Sequence, residues 1–112
     1  MNKTSDVLSQ SAFYVYTIFS LQDKKFYTGY TSDLNRRLKE HNNGYSLSTK
    51  WRRPFVLMHY ECFVSEFDAK AREVFLKSGF GRKQLKESIK RTLAQYISPD
   101  YLQTSLSRQL KI

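Results

Sequence analysis

Residues 13–21, FYVYTIFSL, carry no charge and consist almost wholly of aromatic and β-branched side chains. Branched and planar side chains pack well on a pleated surface, so this run reads as a buried strand. Four polar residues later, FYTGY at 26–30 has the same character, and the two segments predict a β-hairpin. A buried hairpin needs cover, and the rest of the 112-residue chain must supply it.

Thr31, Ser32 or Asp33 caps a helix running through LNRRLKEH to about His41, where Asn42, Asn43 and Gly44 stop it. Residues 45–54 show no period and read as a loop, and FVLMHYECF at 55–63 reads as a third strand. Ser65 and Asp68 form an S-x-x-D capping box that opens a second helix to Lys77. Gly79 and Gly81 are read as its break. Leu85, Ile89, Leu93 and Ile97 then predict one helix from Arg82 to about Ile97, ended by Pro99. Residues 1–12 read as a polar arm and 98–112 as a short tail, helical around 101–110. The helix between the second and third strands acts as a crossover. The expected fold is a single α+β domain over residues 13–97, order ββαβαα, with a three-stranded mixed or antiparallel sheet flanked by helices.

Nineteen Lys and Arg against ten Asp and Glu give a formal charge of +9, and 15% of the residues are aromatic. That balance suits an anionic partner, nucleic acid first, although solubility alone accounts for it too. The excess is uneven: residues 1–69 carry a net +2 and residues 70–112 a net +7. No apolar run approaches the roughly 18 residues of a membrane span, and the N-terminus has no secretory core. The lone cysteine, Cys62, forms neither an internal disulfide nor a Cys-based metal cluster. A cytoplasmic protein away from membranes is expected. Phosphate-loop, nucleophile-elbow and zinc-spaced motifs are absent from the sequence.

What the sequence does hold is Tyr16 and Tyr27 on the two hairpin strands, eleven residues apart. An even-numbered turn points both side chains to one face. Arg37 follows Tyr27 by ten residues, and His41 lies four further on, one helical turn away on the same face. Glu73 stands in the second helix, within AREVFLKSG. Taken singly, each has a plain structural reading: Glu73 pairs with Lys70 or Lys77, His41 sits at a helix C-terminus, Arg37 is a solvated charge. His59, Tyr14, Tyr30 and Tyr60 are read as structural.

Together with the spacing YVY-x10-YTG, the segments SDLNRRLKEHN, STKWRRPF and DAKAREVFLKSGFGR resemble the GIY-YIG nuclease family. The likeness is to its small stand-alone bacterial members, similar to the nuclease domain of the excision-repair endonuclease, and spans about residues 13–85. It implies that Tyr16 is the GIY tyrosine, and that Tyr27 and Gly29 are the YIG tyrosine and glycine, Gly29 on the substrate side. By the same likeness Arg37 and His41 are catalytic, and Glu73 binds Mg²⁺ or Mn²⁺. The implied reaction is metal-dependent hydrolysis of a phosphodiester, in DNA ahead of RNA, in repair or recombination.

The residue types suit that chemistry. Arg37 offers a planar fork for phosphate oxygens, and Glu73 a hard oxygen for a hydrated Mg²⁺. A tyrosine then serves as general base, at a cost of roughly 4 kcal/mol for forming tyrosinate near neutrality. The sequence leaves open which tyrosine this is, with His41 able to relay the proton away. Lys50, Arg52 and Arg53 before the third strand, and Arg82, Lys83 and Lys86 beyond Gly81, are read as substrate-binding.

The family signature is not literal here. Tyr14 and Val15 replace the first two residues of GIY, and Thr28 the middle one of YIG. No asparagine follows Asn43, where some family nucleases place one after the metal glutamate. With no appended targeting domain, a protein partner is one route to a target. The alternative reading is a nucleic-acid-binding module of the same fold that cleaves weakly or only with a partner. A small basic protein of an assembly such as the ribosome fits the charge but not the spacing.

Overall fold

The computed structural model describes residues 11–97. Residues 1–10 of the expected arm (1–12) and the tail at 98–112 lie outside the described residues. The hairpin forms as its composition predicts: β1, Phe13–Ser20, and β2, Phe26–Thr31, run antiparallel. The third strand, β3, Phe55–Phe63, pairs with the other edge of β1, giving an antiparallel sheet of order β2-β1-β3. The sheet holds no parallel pair among the described residues, so of the two expected forms the antiparallel one is found.

Helix α1, Leu34–Asn42, starts at Asp33, whose side chain accepts from the Arg36 amide at 3.1 Å. Gly44, at φ +79, turns the chain out of it. A short 3₁₀ turn, Lys50–Arg52, interrupts the loop that follows. Helix α2, Glu66–Lys77, opens on Ser65, whose hydroxyl accepts from the Asp68 amide at 3.3 Å.

Beyond Lys77 the structure corrects the reading of the glycines. Ser78 ends α2 and at once caps α3, Gly79–Ser88, by accepting from the Gly81 amide at 3.1 Å. Gly79 and Gly81 therefore begin a helix. At Gly81 the Phe75 carbonyl stands where a Cβ would be, so glycine permits the close α2–α3 junction. The single helix expected to reach Ile97 is two, because α3 stops at Ile89 (φ −114, ψ 24) before α4, Lys90–Ile97. Just before the break, Ser88 donates back to the Gln84 carbonyl at 3.0 Å, a bond that bends helices. The observed order is ββαβααα.

Both faces of the sheet are covered. On one, Tyr16, Ile18 and Phe55 pack with Tyr27 and with Leu34 and Leu38 of α1. On the other, Val15 packs with Ala69 and Leu76 of α2 and Leu85 of α3. Adjacent residues of β1 thus serve opposite layers.

Candidate active site

The β1–β2 register opposes Tyr16 to Gly29 and Ile18 to Tyr27, which sets both tyrosines on the α1 face. Their rings lie 6.5 Å apart, and the Tyr27 ring meets that of His41 edge-on at 5.1 Å. His41 and Arg37, one turn apart on α1, both reach Tyr16. The Tyr16 hydroxyl lies 2.7 Å from His41 Nε2, and Arg37 Nε donates to it at 3.3 Å. Arg37 also donates to Glu40 at 3.2 Å. On the far side of the imidazole, His41 Nδ1 lies 2.7 Å from Thr49 Oγ1. Tyr16, His41 and Thr49 are buried, whereas Tyr27 and Arg37 keep part of their surface open.

Burial sets the electrostatics. It pushes the Tyr16 phenol up to about 12, against the pull of the Arg37 hydrogen bond and charge. It drives His41 down to about 4, with the Arg37 charge acting in the same direction. Burial also opposes the charge of Arg37, but its hydrogen bonds to Tyr16 and Glu40 outweigh that and hold its pKa above the ordinary arginine value. The group at neutral pH is a neutral imidazole, a protonated Tyr16 and a cationic Arg37.

Glu73 arrives differently. It stands on α2, whose Ala69 and Leu76 pack on the opposite face of the sheet. Its spacing from those two residues places it on the same helical stripe, where a carboxylate is unusual. It pairs with Lys77 at 3.1 Å and makes no hydrogen bond to Tyr16, Tyr27, Arg37 or His41 among the described residues. Its charge nevertheless adds to the upward push on Tyr16 and on Tyr30.

A profile of the GIY-YIG catalytic domain matches residues 12–86. The chain belongs to the GIY-YIG family. Its relatives include a UPF0213 protein of Haloquadratum walsbyi, 46% identical over 66 residues, covering 58% of this chain and 73% of that protein. A UPF0213 protein of Pediococcus acidilactici is 38% identical over 82 residues, covering 70% and 82% respectively. Among solved structures, the solution NMR structure of a UPF0213 protein of Bacillus halodurans is 32% identical. That match covers 86% of this chain and 97% of its own, with a TM-score of 0.43.

In this GIY-YIG domain the residues read as substrate-binding divide. Gly29 is buried, and the Tyr16 hydroxyl fills the space its Cβ would need, so the glycine has a reason independent of any substrate. Arg52 pairs with Asp23 and donates to the carbonyls of Lys25 and Phe26, tying the loop to the hairpin turn. Arg53 donates to the Lys50 carbonyl at 2.8 Å and packs its guanidinium against Gly44. Lys50 lies 5.1 Å from the ring of Trp51, which is 76% exposed. On α3, Lys83 faces solvent, Arg82 donates to the Lys77 carbonyl, and Lys86 lies over the Phe26 ring.

Arg82 and Lys86 also rim a groove of about 860 Å³, floored by Phe19, Phe26, Leu93 and Ile97. None of the tyrosine group lines it, so it lies apart from the candidate chemistry. The residue that sequence reasoning missed is Thr49. It sits in the STKWRRP segment, where the neighbouring basic residues drew the reading, and only the fold brings it to His41.

Proposed function

We propose that this chain is a divalent-metal-dependent endonuclease that hydrolyses phosphodiester bonds of DNA in the cytoplasm, in repair or recombination. The observation that carries the reading is the convergence of Tyr16, Tyr27, Arg37 and His41 on one face of the sheet, with Glu73 in electrostatic reach. No helix among the described residues is long and apolar enough to cross a membrane.

Phosphodiester hydrolysis needs a deprotonated water at phosphorus, neutralisation of the oxygens that gather charge, and a stabilised leaving oxygen. Tyr27, ionised by giving its own proton to solvent across its open surface, is the tyrosinate that takes the proton of the attacking water. Its surface is partly open and its hydroxyl has no hydrogen-bond partner among the described residues, whereas Tyr16 is buried and held protonated. The Arg37 fork neutralises non-bridging oxygens, and its Glu40 and Tyr16 partners hold it in place.

The donor set fits a hard, hydrated cation. The described residues contain no group of three or more His, Cys, Asp and Glu able to hold a metal, so Glu73 would bind Mg²⁺ or Mn²⁺ largely through the ion's own waters. Bound there, the ion supplies Lewis acidity to the scissile phosphate. Lys77 must then release the carboxylate it now pairs with. That ion pair, together with the missing downstream asparagine, favours a second reading: a binding module that needs a protein partner before it cleaves.

The test is a cleavage assay with Mg²⁺ or Mn²⁺ on duplex, single-stranded and branched DNA and on RNA, with Arg37→Ala beside wild type. Cleavage by wild type alone is the expected result, and its preferred strand names the substrate. Salt-sensitive binding without cleavage by either protein would overturn the enzyme in favour of the module.

A further inference from the structure

Thr49, His41 and Tyr16 form a closed chain of two hydrogen bonds, both 2.7 Å. The Thr49 and Tyr16 hydroxyls each carry one hydrogen, and the neutral ring carries one. Three hydrogens serve two bonds, so the chain runs in one direction and the hydroxyl at its far end must send its hydrogen elsewhere.

The two ends differ. Thr49 is fully buried, and its hydroxyl has no partner other than His41 among the described residues. A hydrogen pointed away from His41 there would be a buried donor without an acceptor, at the full cost of desolvation. The Tyr16 end lies between Arg37 and Tyr27, both partly open to solvent, and Arg37 already donates to the Tyr16 oxygen. The Tyr16 hydroxyl has no acceptor among the described residues either, but it is the end that lies against partly open side chains, so its hydrogen has the nearer route to solvent.

We propose that Thr49 is a positioning residue: by donating to His41 Nδ1 it fixes the ring with its hydrogen on Nε2, aimed at the Tyr16 oxygen. Tyr16 then accepts from two N–H groups, His41 Nε2 and Arg37 Nε, and turns its own O–H toward the face it shares with Tyr27. Resting on the nuclease reading, this makes Tyr16 a neutral donor to a phosphate oxygen. It makes His41 an orienting donor in place of the proton relay expected from the sequence. The neutral ring that the arrangement needs follows from burial beside Arg37.

Nitrogen-15 NMR of the His41 ring in the wild-type protein without substrate tests this directly. Nδ1 is expected to show the shift of an unprotonated ring nitrogen and Nε2 that of a protonated one. Thr49→Ser keeps the hydroxyl and is expected to keep that pattern. Thr49→Val is expected to mix or reverse it, and to lower kcat about tenfold with little change in KM. Protonation at Nδ1 in wild type, or a Thr49→Val ring identical to wild type, overturns the proposal. Since the spectrum is recorded without turnover, a protein that cleaves nothing yet shows the Nε2–H ring removes the nuclease reading and leaves the role of Thr49 standing.

Discussion

The hydroxyl of Tyr16 occupies the space in which residue 29 would carry a Cβ. The two face each other across β1 and β2, and a Cβ built on Gly29 would stand only 2.6 Å from Tyr16 Cζ.

Gly29→Ala is therefore expected to displace Tyr16 from His41 and to cost about 1–3 kcal/mol of stability, the usual scale of overpacking. Urea denaturation measures the cost. Added to Tyr16→Ala, the same change should cost much less, since the obstructing ring is gone. Equal costs in the two backgrounds would mean that Tyr16 is not the obstacle.

His41 predicts a pH dependence with a definite sign. Its folded pKa of about 4 lies below its ordinary value of 6.5, so the unfolded chain binds the proton more readily. The stability linked to this group is fully present above pH 6.5 and is lost as the pH falls toward 4. The loss amounts to at most about 3 kcal/mol. His41→Gln should flatten that part of the profile relative to wild type. Parallel profiles between pH 6.5 and 4 would contradict a buried neutral histidine.

The basic residues separate into those tied into the fold and those proposed to meet phosphate. Arg52→Ala removes the link between the loop, Asp23 and the hairpin turn, and should lower stability by about 1–2 kcal/mol with little effect on the salt dependence of nucleic-acid binding. Lys83→Ala and Lys86→Ala should instead each reduce the slope of log affinity against log salt by about 1, leaving stability nearly unchanged. An unmoved slope would remove α3 from the binding surface.

The hairpin, β3, α1 and α2 were legible because each has a local cause: aromatic runs, a four-residue turn, and the caps at Asp33 and Ser65. The two glycines after Lys77 misled because their local meaning, a break, yields to a tertiary one, the approach of Gly81 to the Phe75 carbonyl. The kink at Ile89 left no mark in a hydrophobic period that runs unbroken through it. Strand and helix spacing likewise put Tyr16 with Tyr27 and Arg37 with His41, while the joining of the two pairs came only from the family resemblance. The tie from Thr49 to His41 spans a loop without period, and only the folded chain displays it. Glu73 was legible as a residue type, but its entry from the helix on the opposite face was not.

The proposed metal role rests on Glu73, and Mn²⁺ binding and strand cleavage measured side by side in wild type and Glu73→Ala test it. Glu73→Ala is expected to lose Mn²⁺ binding and at least about 100-fold in cleavage rate. Its affinity for nucleic acid should stay within about twofold of wild type, since the phosphate contacts lie on other residues. A Glu73→Ala protein that cleaves at the wild-type rate would contradict it.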